Sequence, residues 1–365
     1  MLVPKDSAQT AGSDERKGAR VERLGVVMSP DGERTEAAGI LNPAAARGPQ
    51  NELLLYPRCV ARGNISRVGT VQTDPSRDGI GVRKLGFALE PQAPYEKRAR
   101  GGHGCEDPRV TYIPALKAYV MAYTAFGPDG PRVAFAISDD AYHWERLGLA
   151  RFDGTGTPAG DDKDAAFFPE PVTSPAGVRS LAFYHRPMLH LSALDGRAAI
   201  PMIERLPFDE RESIRIAYVP LEAVLKDRAN LLNVAESVNA LSPDANWGSI
   251  KIGAGTPPVR IAEGWMSLYH GVDCIGNHGR KPLLTYSSGI VVHDLERPDR
   301  IVYRSPKPII TPETDFEREG TVDNVVFPTG LDPRPDIGER VFDFYYGAGD
   351  WRVAAARMWL DDNLT

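Results

Sequence analysis

The sequence predicts an all-β chain folded as a β-propeller, and three observations carry that prediction. Short apolar or alternating runs of strand length recur along the chain. Glycine and proline, 35 and 31 of them among 365 residues, break these runs into turns. The runs are also spread evenly, which suits radial repetition, an arrangement that hides sheet edges.

In chain order, residues 1 to about 20 mix Gly, Ser, Asp, Glu, Lys and Arg with few large apolar groups and read as a disordered tail. A single domain is expected from residue 21 to 365. Strand signals fall at Glu52–Tyr56, Ala118–Tyr123, Arg132–Ile137, Ser180–Tyr184, Trp265–Tyr269, Gly289–His293 and Val341–Tyr346, each rich in β-branched or aromatic residues. One helix is expected over Leu221–Val238, where Leu221, Val224, Leu225, Leu232 and Val234 keep partial helical spacing. Ser76-Arg77-Asp78-Gly79 and Ser138-Asp139-Asp140-Ala141-Tyr142-His143-Trp144 are either one turn repeated in two blades or two unrelated β-turns.

Bulk properties narrow the function. The net charge is −6 and the 43 Lys and Arg form no basic block, which argues against nucleic acid as a partner. Three cysteines, Cys59, Cys105 and Cys274, show no CxxC spacing, so neither a disulfide scaffold nor a zinc site is expected, and no metal. No run approaches the roughly 20 apolar residues of a membrane span. The N-terminus is polar and charged, without the apolar run of a signal peptide, so none is expected, and the cytoplasm is the expected compartment.

The segments with chemical content lie at the ends of the predicted strands. Gly104-Cys105-Glu106-Asp107-Pro108-Arg109-Val110 sets two acids, a rigid proline and an arginine before a strand. Proline is expected to push Asp107 toward an extended conformation, with Glu106 raising its pKa and Arg109 lowering it. An aimed acid and a turn closed by an Asp–Arg ion pair both fit. In Phe183-Tyr184-His185-Arg186-Pro187, Arg186 ends a strand and suits either an anion clamp or a surface ion pair, while His185 reads as structural. Lys251-Ile252-Gly253-Ala254-Gly255-Thr256 is glycine-rich but lacks the Gly-Lys-Ser/Thr order of a P-loop. His270, before Gly271, reads as a strand-end histidine, either an oxyanion donor or a structural group. Asp350 follows the aromatic pair Tyr345-Tyr346, and carboxylates beside aromatic walls suit sugars.

Taken in order, these segments resemble glycoside hydrolase family 130, the β-mannoside phosphorylases and their hydrolytic relatives. The resemblance covers about residues 40 to 357. It rests on Asn42-Pro43-Ala44, Leu55-Tyr56-Pro57-Arg58, Glu106-Asp107-Pro108-Arg109, Lys163-Asp164-Ala165-Ala166-Phe167-Phe168-Pro169, His185-Arg186-Pro187, Lys251 with its glycines, Tyr269-His270-Gly271, Glu317, Asn324 to Gly330, and Tyr345 to Asp350. It departs from the family pattern in a long stretch between Arg186 and Lys251 and an extended loop at Asp273–Lys281.

The resemblance implies a five-bladed propeller and an inverting phosphorolysis that gives α-mannose 1-phosphate and a shortened sugar. Asp107 would be the proton donor, acting through a sugar hydroxyl. Arg186, Lys251 and His270, with Lys163 and Tyr286, would hold inorganic phosphate, which is a co-substrate; no cofactor is implied. Asn42, Arg58, Glu106, Arg109, Glu317 and Asp350 would bind the sugar or orient Asp107. An inverting cleavage needs an acid on the leaving oxygen and a nucleophile on the opposite face, and phosphate replaces the second carboxylate of a hydrolase. Hydrolysis within the same family, a two-carboxylate propeller glycosidase and a non-catalytic oligosaccharide-binding propeller are the alternatives. The acceptor sugar, linkage and oligomeric state, a homo-oligomer included, stay open.

Overall fold

A computed structural model of the chain describes residues 18–364, apart from 75, 77–79, 158, 159, 190–195, 279 and 280. Of the expected N-terminal tail, residues 1–17 lie outside the described residues, and Ala19 already begins the first strand. Arg77, Asp78 and Gly79 of the first Ser-x-Asp turn also lie outside them.

Strands dominate. They are β1 (Ala19–Met28), β2 (Gly39–Arg47), β3 (Leu53–Ala61), β4 (Ile65–Asp74), β5 (Gly81–Leu89), β6 (His103–Ile113), β7 (Ala118–Gly127), β8 (Gly130–Ser138), β9 (Glu145–Leu149), β10 (Asp162–Phe167) and β11 (Val172–Thr173). The second half adds β12 (Arg179–Pro187), β13 (Ile214–Pro220), β14 (Glu236–Leu241), β15 (Lys251–Ala254), β16 (Val259–Ile261), β17 (Gly264–His278), β18 (Lys281–His293), β19 (Ile301–Arg304), β20 (Val326–Pro333), β21 (Val341–Ala348) and β22 (Arg352–Leu360). Six of the seven strand signals read from the sequence fall inside these elements, and the seventh, Glu52–Tyr56, does so from Leu53 onward. The helices are short: α1 (Gly196–Arg205), α2 (Leu221–Lys226) and α3 (Asp315–Arg318).

The helix expected over Leu221–Val238 is therefore a correction. It stops at Lys226, because Asp227 is extended and its side chain caps a separate 3₁₀ turn at Arg228–Leu232. From Glu236 the same segment pairs as β14. Leu231, Leu232 and Val234 are buried, so tertiary packing, not helical periodicity, sets their spacing. The extended loop expected at Asp273–Lys281 is instead the outer part of a hairpin, with β17 and β18 paired out to His278 and Lys281.

Pairing is almost entirely antiparallel between chain neighbours. Among the described residues the strands form four hydrogen-bonded sheets. One holds two meanders, β2–β5 and β6–β9, joined by a short parallel contact of Ile65 and Ser66 with His103 and Gly104. The next two are built on β10 with β12–β14 and on β15 with β17–β19. The last has the order β1-β22-β21-β20, so the N-terminal strand completes the C-terminal sheet.

Apolar clusters join each meander to the next. In β7, Ala118, Val120 and Ala122 pack toward the β10 meander, whereas Tyr119, Met121 and Tyr123 pack toward β2–β4. In β12, Leu181 and Phe183 face one neighbour, and Ala182 and Tyr184 the other. Period-two alternation thus feeds both faces, which explains why these strands read as continuous apolar runs. A further cluster joins β1, β21 and β22 to β2 and β3, returning the last meander to the first.

The closing sheet is pinned by a buried carboxylate. Glu317 of α3 accepts from Arg23 of β1 (Nε 2.8 Å, Nη2 3.1 Å), from Tyr346 Oη (2.8 Å), and from the backbone N–H groups of Glu313 and Thr314 (2.8 and 3.0 Å). Its side chain is fully buried. Glu317→Ala strands Arg23, a tyrosine hydroxyl and two backbone donors, and is expected to cost about 3 kcal/mol. Urea unfolding of the variant and the parent chain checks this.

Candidate active site

Successive meanders bring their first strands together: β2 contacts β20 and β6, and β10 contacts β6 and β15. Three of these strands carry a bulge near the same end. The register slips between Leu41 and Ala44, between Glu106 and Arg109, and between Lys163 and Ala166. At the bulges stand Asn42, Asp107 and Asp164 with φ of 44°, 44° and 59°, and Asp350 has φ 49° in the turn after β21. Asn and Asp are the non-glycine residues that best tolerate this left-handed region, and bulges re-aim side chains beside sites. The extended conformation expected for Asp107 is thereby corrected: the bulge, not Pro108, sets its backbone.

These turns open on a cavity of about 200 Å³. Of the residues expected at the site, Asn42, Arg58, Asp107, Lys163, Arg186, Lys251, His270, Tyr286 and Asp350 line it. Asp164, Met188, Val322, Val325 and Phe327 complete the lining. Glu106 and Arg109 stand behind the wall as supports. Glu317 does not line the cavity; its oxygens are taken up in the closing sheet described above.

On one side sits Asp107. Its Oδ1 accepts from Asn42 Nδ2 (2.8 Å) and Arg58 Nη1 (3.3 Å). Oδ2 has no hydrogen-bond partner among the described residues. Gly347 leaves room for this arrangement, since a Cβ there would collide with the Asn42 amide oxygen. Arg58 also donates to Glu106 Oε1 (2.8 Å) and Ser66 Oγ (2.9 Å), and Lys163 Nζ lies 3.5 Å from Glu106 Oε2. Arg109, 1% exposed, donates to the carbonyl oxygens of Asp107 (2.9 Å), Gly255 (3.0 Å) and Ala254 (3.1 Å). Burial pushes the Asp107 carboxyl up, but Arg58, Arg109, Lys163 and the Asn42 amide together hold it below the usual range. Burial lifts Asp350 instead, against Arg58 and with help from Asp107 and Glu106, to about 6.

A second group on the lining holds Arg186, Lys251, His270 and Tyr286. Arg186 Nε donates to Asp164 Oδ2 at 2.7 Å, and Nη1 donates to Glu212. Asp164 Oδ1 also lies 3.5 Å from Arg109 Nη2, so this carboxylate bridges the two sides. Burial pushes it up, and Arg186, His270 and Arg109 pull it well below the carboxylate range. His270 packs on Phe327, with ring centroids 4.3 Å apart, and its Nε2 is 3.8 Å from Asp164 Oδ2. Burial drives its pKa down to about 3, so the imidazole is neutral. Its Nδ1 is buried without a partner among the described residues. The strand-end position expected for His270 is corrected, because β17 continues eight residues beyond it. A Cβ at Gly253 would strike both the Asp164 carboxylate and the His270 ring, which gives the glycine-rich stretch its physical reason. Lys251 Nζ lies 5.9 Å from the Tyr286 ring centroid.

Asp164 and Glu212 were not singled out from the sequence. Asp164 sat unweighed inside the Lys163–Pro169 motif, and Glu212 stands in a stretch with no pattern. His185 is structural, as its alternation suggested, with Nδ1 2.7 Å from Asp162 and Nε2 2.8 Å from Ser237. Among the described residues one carboxylate group could share a cation, Asp31 with Glu33 and Glu36, but Lys84 Nζ already bonds Asp31 (2.6 Å) and Glu36 (2.7 Å). No helix among the described residues is long and apolar enough to cross a membrane.

A family model described as beta-1,4-mannooligosaccharide phosphorylase matches residues 17–364. A 1,2-beta-oligomannan phosphorylase of Thermoanaerobacter sp. (strain X514) is 29% identical over 348 residues, 92% of this chain and 95% of that protein. A beta-1,2-mannobiose phosphorylase of the same organism is 30% identical over 286 residues, 77% of this chain and 74% of the other. The solved beta-1,2-mannobiose phosphorylase of Listeria innocua, in complex with beta-1,2-mannobiose, superposes with a TM-score of 0.66 at 20% identity, covering 92% of this chain and 96% of that one.

The carboxyl of Asp350 yields a pH prediction. In the folded chain it keeps its proton up to about 6, whereas in the unfolded chain it releases it near 4. Between these values the native state binds more protons, so stability falls as pH rises. Asp350→Asn is expected to remove that slope and to raise stability at pH 7 by on the order of 2 kcal/mol. Denaturant melts of both proteins at pH 4, 5, 6 and 7 measure it.

Proposed function

The chain belongs to glycoside hydrolase family 130, and on that footing we propose that it cleaves a β-mannosidic bond with inorganic phosphate, by inversion, giving α-mannose 1-phosphate and a shortened sugar. We read its meanders as the five blades of one propeller, a single catalytic domain over residues 21–365. The observation that supports the activity is the shared cavity: Asp107, the cationic group of Arg186 and Lys251 with His270, and polar groups of Asn42, Arg58 and Asp350 for sugar hydroxyls all line it. The names of the relatives, mannoside phosphorylases, support the donor sugar.

In this reading Asp107 supplies the proton, through a sugar hydroxyl as the family resemblance implies. With an empty cavity its carboxyl favours the ionised state. Phosphate adds negative charge and the sugar displaces water, and both raise a carboxyl pKa, so substrates themselves prepare the acid. Asn42 and Arg58 hold Oδ1 and leave Oδ2 to reach the substrate. On the opposite side Arg186 and Lys251 carry the charge that holds the nucleophile, and neutral His270 adds a hydrogen bond without charge.

Hydrolysis is the nearest rival, since Asp164 lies on the cationic side. A carboxylate with so depressed a pKa is a weak base, which favours phosphate over activated water. The decisive assay follows β-1,2- and β-1,4-mannobiose with and without phosphate. Turnover is expected only with phosphate, with α-mannose 1-phosphate as product; free mannose at an equal rate in phosphate-free buffer identifies a hydrolase. Asp107→Asn is expected to lower kcat by roughly 10²–10⁴ with an unchanged melting temperature. Loss of less than tenfold removes Asp107 from the acid role.

A further inference from the structure

The cationic wall holds a second carboxylate besides Asp164. Glu212 precedes β13, and its main chain is fixed on both sides. Ile252 N–H donates to its carbonyl at 3.1 Å, one residue from Lys251. Neighbouring Arg211 donates to the carbonyls of Leu206 (3.1 Å), Glu204 (2.9 Å) and Ser249. Its side chain is used twice: Oε1 accepts from Leu189 N–H at 3.2 Å and Oε2 from Arg186 Nη1. Arg186 is thus gripped at Nε by Asp164 and at Nη1 by Glu212. Its Nη2 has no protein partner among the described residues, and the residue lines the cavity.

We propose that Glu212 is a positioning residue for phosphorolysis, holding the Arg186 guanidinium turned so that Nη2 stays free for the phosphate. The inference rests on the function proposed above. A guanidinium meets a carboxylate most favourably through two parallel N–H bonds, and Nε with Nη2 forms one such fork. Asp164 already holds Nε. Without Glu212 the group rotates to close Nε and Nη2 on Asp164, which turns Nη2 away from the anion and leaves the free N–H groups on Nη1, aimed where Glu212 stood. Charge acts in the opposite direction, because a carboxylate beside the cradle repels phosphate. Orientation and charge therefore separate cleanly in two variants.

Glu212→Ala removes both the hold and the charge; Glu212→Gln keeps an acceptor oxygen for Arg186 and removes only the charge. Phosphate binding is measured by calorimetry with inorganic phosphate on the full chain, and KM is measured separately for phosphate and for mannobiose. Ala is expected to weaken phosphate binding and raise its KM about tenfold or more, and Gln to leave both equal to or tighter than wild type. The mannobiose KM is expected to stay within twofold in each. Unchanged or tighter phosphate binding in Ala overturns the proposal, as does weakening by Gln equal to that by Ala, or a matching rise in mannobiose KM. If Ala does not fold, Glu212→Ser, which likewise withdraws the acceptor from Arg186, is measured in its place with the same expected and overturning results. Wild-type protein that binds no phosphate overturns the parent reading and this one together; wild-type binding with an unaffected Ala variant overturns this one alone.

Discussion

Five cations, Arg58, Arg109, Lys163, Arg186 and Lys251, crowd the cavity and its rear wall with five carboxylates, Glu106, Asp107, Asp164, Glu212 and Asp350. None of these charges could be taken from water alone without a penalty of several kcal/mol. Their pairing is nevertheless uneven. Arg58 serves Glu106 and Asp107, Arg109 and Arg186 share Asp164, and Arg186 also serves Glu212. Among the described residues Lys251 and Asp350 have no ion pair. One spare cation remains on the side assigned to phosphate and one spare carboxylate on the side assigned to sugar. A site neutral as a whole is thus polarised across its width, which suits an anionic nucleophile on one face and a hydroxylated ring on the other.

The scaffold enforces this polarity through strain. Asn42, Asp107, Asp164 and Asp350 all occupy a left-handed backbone region, at a cost of about 1 kcal/mol or more each. They persist because the strands around them are over-determined by packing. Residues on either side of Asp107 belong to a ladder whose cores are sealed on both faces. Apolar alternation in β7 and β12 therefore reaches function: it fixes the rails on which the bulges sit.

Much of this was legible in the sequence. The strands were readable because their apolar runs are short and punctuated by glycine and proline. The pocket residues were legible only through the order of several motifs that resemble a family, since Glu106-Asp107-Pro108-Arg109 taken alone also fits a turn closed by an ion pair. What failed has physical reasons. The helix over Leu221–Val238 was misjudged because burial under a neighbouring sheet mimics helical spacing for a few residues. Glu317 sits in a family motif, but its neighbours in space, Arg23 and Tyr346, lie far away in the chain. Glu212 acts only through Arg186, twenty-six residues earlier, and a lone glutamate between Arg211 and Ser213 carries no local signature. Asp164 was visible only as the partner of Lys163, since nothing local reveals that its carboxylate ties Arg109 to Arg186.

The pairing of β1 with β22 has a bearing on how the molecule is made. Among the described residues β1 lies near one end of the chain and its partner β22 near the other, so this sheet cannot close until both have been synthesised. Asp350 and the β20 and β21 segments belong to that sheet, and the cavity stays incomplete until they have been made. The earlier meanders pair only with chain neighbours and can fold in order behind the exit tunnel. Activity is thus withheld from every nascent fragment, and a shortened C-terminus would leave an N-terminal strand with an open, aggregation-prone partner edge.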